Sequence, residues 1–143
     1  AHPDALVIGS DQVAALDGSI MGKPGNFERA REQLRASAGR EVLFHTGVAL
    51  ICTGSGLETV RVEDFRVRFR ALGDGEIDNY LAREQPWDCA GSFKAEGLGI
   101  ALFEHLRGDD PTSLEGLPLI GLTSMLGAAG LPVLAANTAV EQK

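Results

Sequence analysis

Apolar and polar residues follow two different periods along this chain, and each predicts its own kind of element. Phe27, Ala30, Leu34 and Ala38 recur at helical spacing, with Asn26 ahead of them as a candidate N-cap and Gly39 behind as a stop, so residues 26–38 are expected to form a helix. Arg29, Arg31, Glu32 and Arg35 fall on its other side and read as a solvated surface. The period then changes to two. Residues 41–53 and 57–70 predict long strands joined by Thr53-Gly54-Ser55-Gly56, and His45 in the first reads as structural. In the second, Val60, Val62, Phe65, Val67 and Phe69 alternate with Arg61, Glu63, Arg66, Arg68 and Arg70, and one slip near Asp64 predicts a bulge. The arginines at 66, 68 and 70 read as a solvated sheet face.

Helical spacing returns at 74–84, with Asp74 as cap, Ile77, Tyr80 and Leu81 facing inward and Pro86 ending the helix. Trp87 is expected to pack beneath its loop. Residues 88–97 predict a polar, Gly-rich loop, 98–107 a strand, and Asp109-Asp110-Pro111 a solvated turn. A last helix is expected from Pro118 to Leu126, with Pro118 near its first turn and Gly130 near its end, and residues 135–143 read as a frayed tail. Strands interleaved with helices predict an α/β fold: a single domain over 1–143, with a mixed twisted sheet flanked by helices.

The chemistry concentrates near the start. Ala5-Leu6-Val7-Ile8 reads as a short buried strand and Gly9-Ser10 as the tight loop that closes it. Asp11 would then stand at a strand's carboxyl end, where open α/β sheets bind ligands. Asp17-Gly18 between Leu16 and Ser19-Ile20 is a strong hairpin signal. That hairpin folds the chain back and is expected to return Lys23, in Gly22-Lys23-Pro24, toward Asp11. A carboxylate and a lysine in one crevice suit a phosphorylated ligand held with a cation. The phosphate loop of the G-x-x-x-x-G-K-[ST] type is absent from the sequence.

Charge narrows the partner. The net charge of −7 argues against a nucleic-acid polymer, whose backbone demands clustered Lys and Arg, but leaves room for a small nucleotide. No run of 18 apolar residues occurs, so no membrane span is expected. Cys52, in an apolar run, and Cys89 are read as packing residues, and a reducing cytoplasm is the expected setting.

Several blocks match a known family in order. They are Val7-Ile8-Gly9-Ser10-Asp11-Gln12 with Asp17-Gly18 and Gly22-Lys23-Pro24; Ala30-x-x-x-Leu34 with Ser37-Ala38-Gly39-Arg40; Thr46-Gly47-Val48-Ala49-Leu50; Cys89-Ala90-Gly91-Ser92-Phe93-Lys94-Ala95-Glu96-Gly97; and Leu114-Glu115-Gly116-Leu117-Pro118-Leu119. Across residues 5 to 130 the chain resembles the Maf family, whose fold is of the inosine-triphosphatase-like kind. The resemblance implies a nucleoside triphosphate pyrophosphatase that releases a nucleoside monophosphate and pyrophosphate. Family members carry an earlier segment with a Ser- and Arg-rich phosphate loop, so this chain is expected to lack part of the cleft.

The resemblance also suggests roles. Asp11 is implied as the proton acceptor, and the residues leave open whether it is a general base, a ligand of Mg²⁺ or Mn²⁺, or both. Lys23, and with it Lys94, would hold phosphate charge. Gln12 and Glu96 differ from the commoner Asp-Thr and Gln of the family and resemble the subgroup acting on 7-methyl-GTP. A carboxylate at Glu96 accepts the N1–H and N2–H₂ donors of guanine and favours the cationic, N7-methylated ring. The alternatives are a Maf-type pyrophosphatase for dTTP, UTP or noncanonical nucleotides, and a non-catalytic nucleotide-binding regulator of septum formation. A homodimer is compatible with either.

Overall fold

A computed structural model describes residues 5–135, and the tail expected over 135–143 lies, apart from Ala135, outside the described residues. The chain lays down β1 (Val7–Leu16), β2 (Ser19–Met21), α1 (Phe27–Ser37), β3 (Glu41–Cys52), β4 (Leu57–Phe69), α2 (Asp74–Glu84), β5 (Phe103–Arg107) and α3 (Leu119–Ala128). Short 3₁₀ turns occupy Ala90–Ser92, Leu98–Leu102 and Pro111–Glu115. The strands form one sheet in the order β2-β1-β3-β4-β5, flanked by helices as an α/β fold requires. All of its pairings are antiparallel where a mixed sheet was expected, because the helical connections never return the chain as a parallel neighbour.

Local signals place several elements as the sequence predicts. Asn26 caps α1 by accepting the Arg29 N–H at 2.9 Å, and Asp17 and Gly18 take the positive φ of 51° and 80° that a two-residue hairpin turn demands. The cap of α2 differs. Gly73 is its N-cap, and Glu76 reaches back to the Gly73 N–H at 2.9 Å. The charged side of α1 is not merely solvated: Arg31 pairs with Asp78 and Arg35 with Asp74 of α2, at 2.9 and 2.8 Å. The predicted strand over 98–107 begins as a 3₁₀ turn, and only Phe103–Arg107 pairs with β4.

Two further expectations are corrected. Gly9-Ser10 is no loop: β1 runs unbroken through it and pairs with β3 from Val7 to Ala15. Val7 and Ile8 are exposed, because only Ala14 and Leu16 of this strand reach the core beside Ala30 and Leu34. The bulge near Asp64 is also absent. β3 and β4 stay in register from Glu41↔Arg68 to Cys52↔Leu57, so Val60 and Val62 lie on the opposite face from Phe65 and remain exposed at 62% and 63%. The irregularity sits instead at Arg68/Phe69, against β5.

The core lies on one face of the sheet, in two clusters. Val42 and Phe44 of β3 pack with α1, α2 and an edge-to-face group of Phe44, Phe69, Phe93 and Phe103, whose ring centroids are 4.9–5.5 Å apart. Val48 and Leu50, further along the same strand face, pack beneath Leu122 and Met125 of α3. Between them stands Thr46, fully buried, where a polar junction ties the strands to the Pro111–Glu115 turn.

Candidate active site

A cavity of about 320 Å³ opens beside that junction, within the range of small-ligand sites. Asp11, Gln12, Lys23, Lys94 and Glu96, all five residues singled out in the sequence, line it. Four stretches of chain bring them there. β1 supplies Asp11 and Gln12, the strap after the Asp17-Gly18 hairpin supplies Lys23, the loop after Phe93 supplies Lys94 and Glu96, and the last 3₁₀ turn supplies Leu114, Glu115 and Gly116. Phe44 and Phe93 also face the cavity and belong to the packed core, so this wall rests on rigid aromatic packing. Gly91, at a φ of 78°, lets the chain turn there; a β-carbon on it would stand 3.1 Å from the Phe44 ring.

Asp11 is reached differently from the expectation. It is a mid-strand residue opposite Gly47, not the end of a strand, and its carboxylate accepts the Gln12 N–H at 2.9 Å. Alternation along β1 sends Gln12 to the core face and Asp11 to the other. Asp11 thus borders a shallow groove beside Gly47, Ala49 and Val60 on the outer face, and it also lines the rim of this cavity. Gln12 is tied down. Its Nε2 donates to Thr46 Oγ1 at 3.1 Å and to the Ser113 carbonyl at 2.8 Å. Lys23 and Lys94 are the cations of the cavity, against the carboxylates of Asp11, Asp88, Glu96 and Glu115. Among the described residues no group of three or more His, Cys, Asp or Glu is placed to hold a metal ion. A hard divalent ion there would take one or two carboxylates and draw its other oxygens from phosphate and water, which is how Mg²⁺ is commonly bound.

Three further lining residues were given no site role from the sequence, although Cys89 and Glu115 stand in matched blocks. Glu115 ends the last 3₁₀ turn and reaches the cavity of Glu96 only through the tertiary fold, while Asp88 opens the same loop that carries Glu96. Cys89 lies at the cavity too, and burial, with Asp88 beside it, pushes its thiol above the ordinary range. Trp87 does not join the site: it packs edge-on against Phe27 with centroids 6.0 Å apart, as expected of a packing residue. His45 lies elsewhere, in an outer-face groove of about 650 Å³ with Arg40 and Arg68, and its Nδ1 is 2.6 Å from Asp64.

A family model described as Maf-like protein matches residues 1–129. The chain belongs to the Maf family. Among its curated relatives, a protein of Nitrosococcus oceani named 7-methyl-GTP pyrophosphatase is 60% identical over 132 residues, covering 92% of this chain and 66% of the relative. Relatives of the same name from a Polaromonas species and from Cupriavidus pinatubonensis are 57% and 55% identical, covering 93% and 94% of this chain. The chain spans 61% to 68% of the length of these three relatives. No helix among the described residues is long and apolar enough to cross a membrane.

Proposed function

We propose that this Maf protein is a nucleoside triphosphate pyrophosphatase that converts 7-methyl-GTP and water to 7-methyl-GMP and pyrophosphate. The observation that carries this reading is the meeting of Asp11, Lys23, Lys94 and Glu96, from three separate stretches of chain, around one cavity. The name shared by the similar relatives supports the choice of substrate.

Hydrolysis between the α- and β-phosphates needs a water in line with the α-phosphorus. The new P–O bond forms as the bond to the bridging oxygen breaks, and pyrophosphate leaves with that electron pair. Asp11 takes the proton of the attacking water, directly or through a second water. Lys23 and Lys94 hold the negative charge of the phosphates, which grows on the leaving group in the transition state. A divalent cation, bound by Asp11 and substrate oxygens, would supply further charge neutralisation at the phosphates. Glu96 accepts the guanine N1–H and N2–H₂ donors, and its charge favours a ring made cationic by N7 methylation. The free nucleotide pool of the cytoplasm is the setting this substrate requires.

Pyrophosphate release from 7-methyl-GTP, GTP, UTP and dTTP, with Mg²⁺ or Mn²⁺ and with chelator, tests the reading. Preference for 7-methyl-GTP supports it. Preference for UTP or dTTP leaves a pyrophosphatase of different specificity, and nucleotide binding without turnover in any metal leaves a regulator.

A further inference from the structure

The loop that carries Lys94 and Glu96 into the cavity has no regular structure of its own, yet its backbone is committed at both ends to one helix. The Lys94 N–H donates to the Tyr80 hydroxyl at 2.9 Å. Four residues on, the Leu98 N–H donates to the Glu84 carboxylate. Tyr80 and Glu84 are one helical turn apart on α2, so they stand on the same side of it and reach the loop together. Between these two points the loop closes on itself: the Lys94 carbonyl accepts the N–H of Gly97 at 3.2 Å and of Gly99 at 3.1 Å. A β-carbon on Gly97 would collide with Glu84, and one on Gly99 with the Lys94 carbonyl, so both glycines belong to the same closure. Lys94 has its N–H and its carbonyl both occupied, while its side chain lines the cavity.

We propose that Tyr80 and Glu84 are positioning residues for substrate recognition, a two-point clamp that fixes Lys94 and Glu96 at the cavity wall. The proposal rests on the reading of that cavity as a nucleotide site. Neither clamp residue is among the residues lining the cavity, so both act through the loop. Burial raises the Tyr80 phenol well above its ordinary range, so it stays a neutral hydroxyl even in alkaline solution. Ile77 and Leu81, the buried neighbours of Tyr80 on α2, hold the helix against the core whatever happens to the clamp.

The clamp is tested with Tyr80→Phe, Glu84→Ala and Glu84→Gln, by steady-state kinetics on 7-methyl-GTP and GTP, thermal melting, and amide hydrogen exchange. Tyr80→Phe keeps the ring and removes only the acceptor; Glu84→Gln keeps an acceptor oxygen that Glu84→Ala loses. Tyr80→Phe and Glu84→Ala are expected to raise KM for 7-methyl-GTP about three- to tenfold, the factor one lost hydrogen bond corresponds to, and to shrink its preference over GTP. Glu84→Gln should stay near wild type in both. Lower melting temperatures in Tyr80→Phe and Glu84→Ala, with KM and preference unchanged, would overturn the proposal and leave a purely structural contact. If the wild-type protein turns over no nucleoside triphosphate, the activity reading fails on its own. The clamp is then decided by exchange at the Lys94 and Leu98 amides: faster in the two disruptive variants supports it, and unchanged overturns it.

Discussion

Gln12 donates its side-chain amide to the backbone carbonyl of Ser113 at 2.8 Å, joining the first strand to a turn 101 residues further along the chain. The same nitrogen reaches Thr46 Oγ1, which in turn donates to the Ser113 carbonyl at 3.1 Å. The junction is buried between the two halves of the core, and it holds the turn that gives Leu114, Glu115 and Gly116 to the cavity wall. Gln12 thus lines the cavity itself and also holds the turn that completes its wall. Gln12→Thr is too short to span the gap and leaves the Ser113 carbonyl with one donor fewer. Thr46 still donates to that carbonyl, so the change should cost only about 0.5–1.5 kcal/mol of stability, and it should relax the preference among nucleotides without abolishing turnover. Denaturant unfolding and the substrate panel check both effects; unchanged stability would show that the bond to Ser113 contributes little.

Glu96 makes a separate prediction. Glu96→Gln keeps the shape and removes the charge, so it should lower kcat/KM for 7-methyl-GTP more than for GTP. Exchanging a charged for a neutral hydrogen bond suggests a differential of about 1 kcal/mol, or several-fold. Equal losses on the two substrates would mean that Glu96 binds the base without sensing its methylation.

Cys89 offers a chemical probe of the cavity. Desolvation holds its thiol protonated to a higher pH than an ordinary cysteine, and the thiolate is the reactive form. Alkylation by iodoacetamide should be slow at pH 7–8, accelerate only above the usual thiol range, and slow again when nucleotide is bound. Fast alkylation at pH 7 would contradict the environment described for this residue.

Features written in neighbouring residues were legible in the sequence. Asn26 and the spacing of Phe27, Ala30 and Leu34 marked α1, and Asp17-Gly18 marked the hairpin that returns Lys23 to the side of Asp11. Features decided by distant partners were not. The switch of apolar residues between faces in β4 looks the same in sequence as a bulge, and only the unbroken register with β3 separates the two. Asp110 looked like a solvated turn acid beside Pro111. It is fully buried, because its carboxylate accepts from the Thr112 N–H at 3.0 Å and from Ile120 N–H at 2.8 Å, capping the last 3₁₀ turn and the start of α3 together. For the site, the resemblance found the five residues, but how they are held, by Gln12 on Ser113 and by Tyr80 and Glu84 on the Lys94 loop, lies in contacts that no local pattern encodes.

In the proposed mechanism the cavity bordered by Asp11, Lys23, Lys94 and Glu96 hydrolyses a nucleoside triphosphate with Asp11 as the proton acceptor. Its most direct test compares pyrophosphate release from 7-methyl-GTP by wild type and by Asp11→Asn, with nucleotide affinity measured on both by calorimetry. A fall in kcat of about 10²-fold or more is expected, the range for a lost general base, with affinity changed far less. An Asp11→Asn protein that releases pyrophosphate at near the wild-type rate would contradict it.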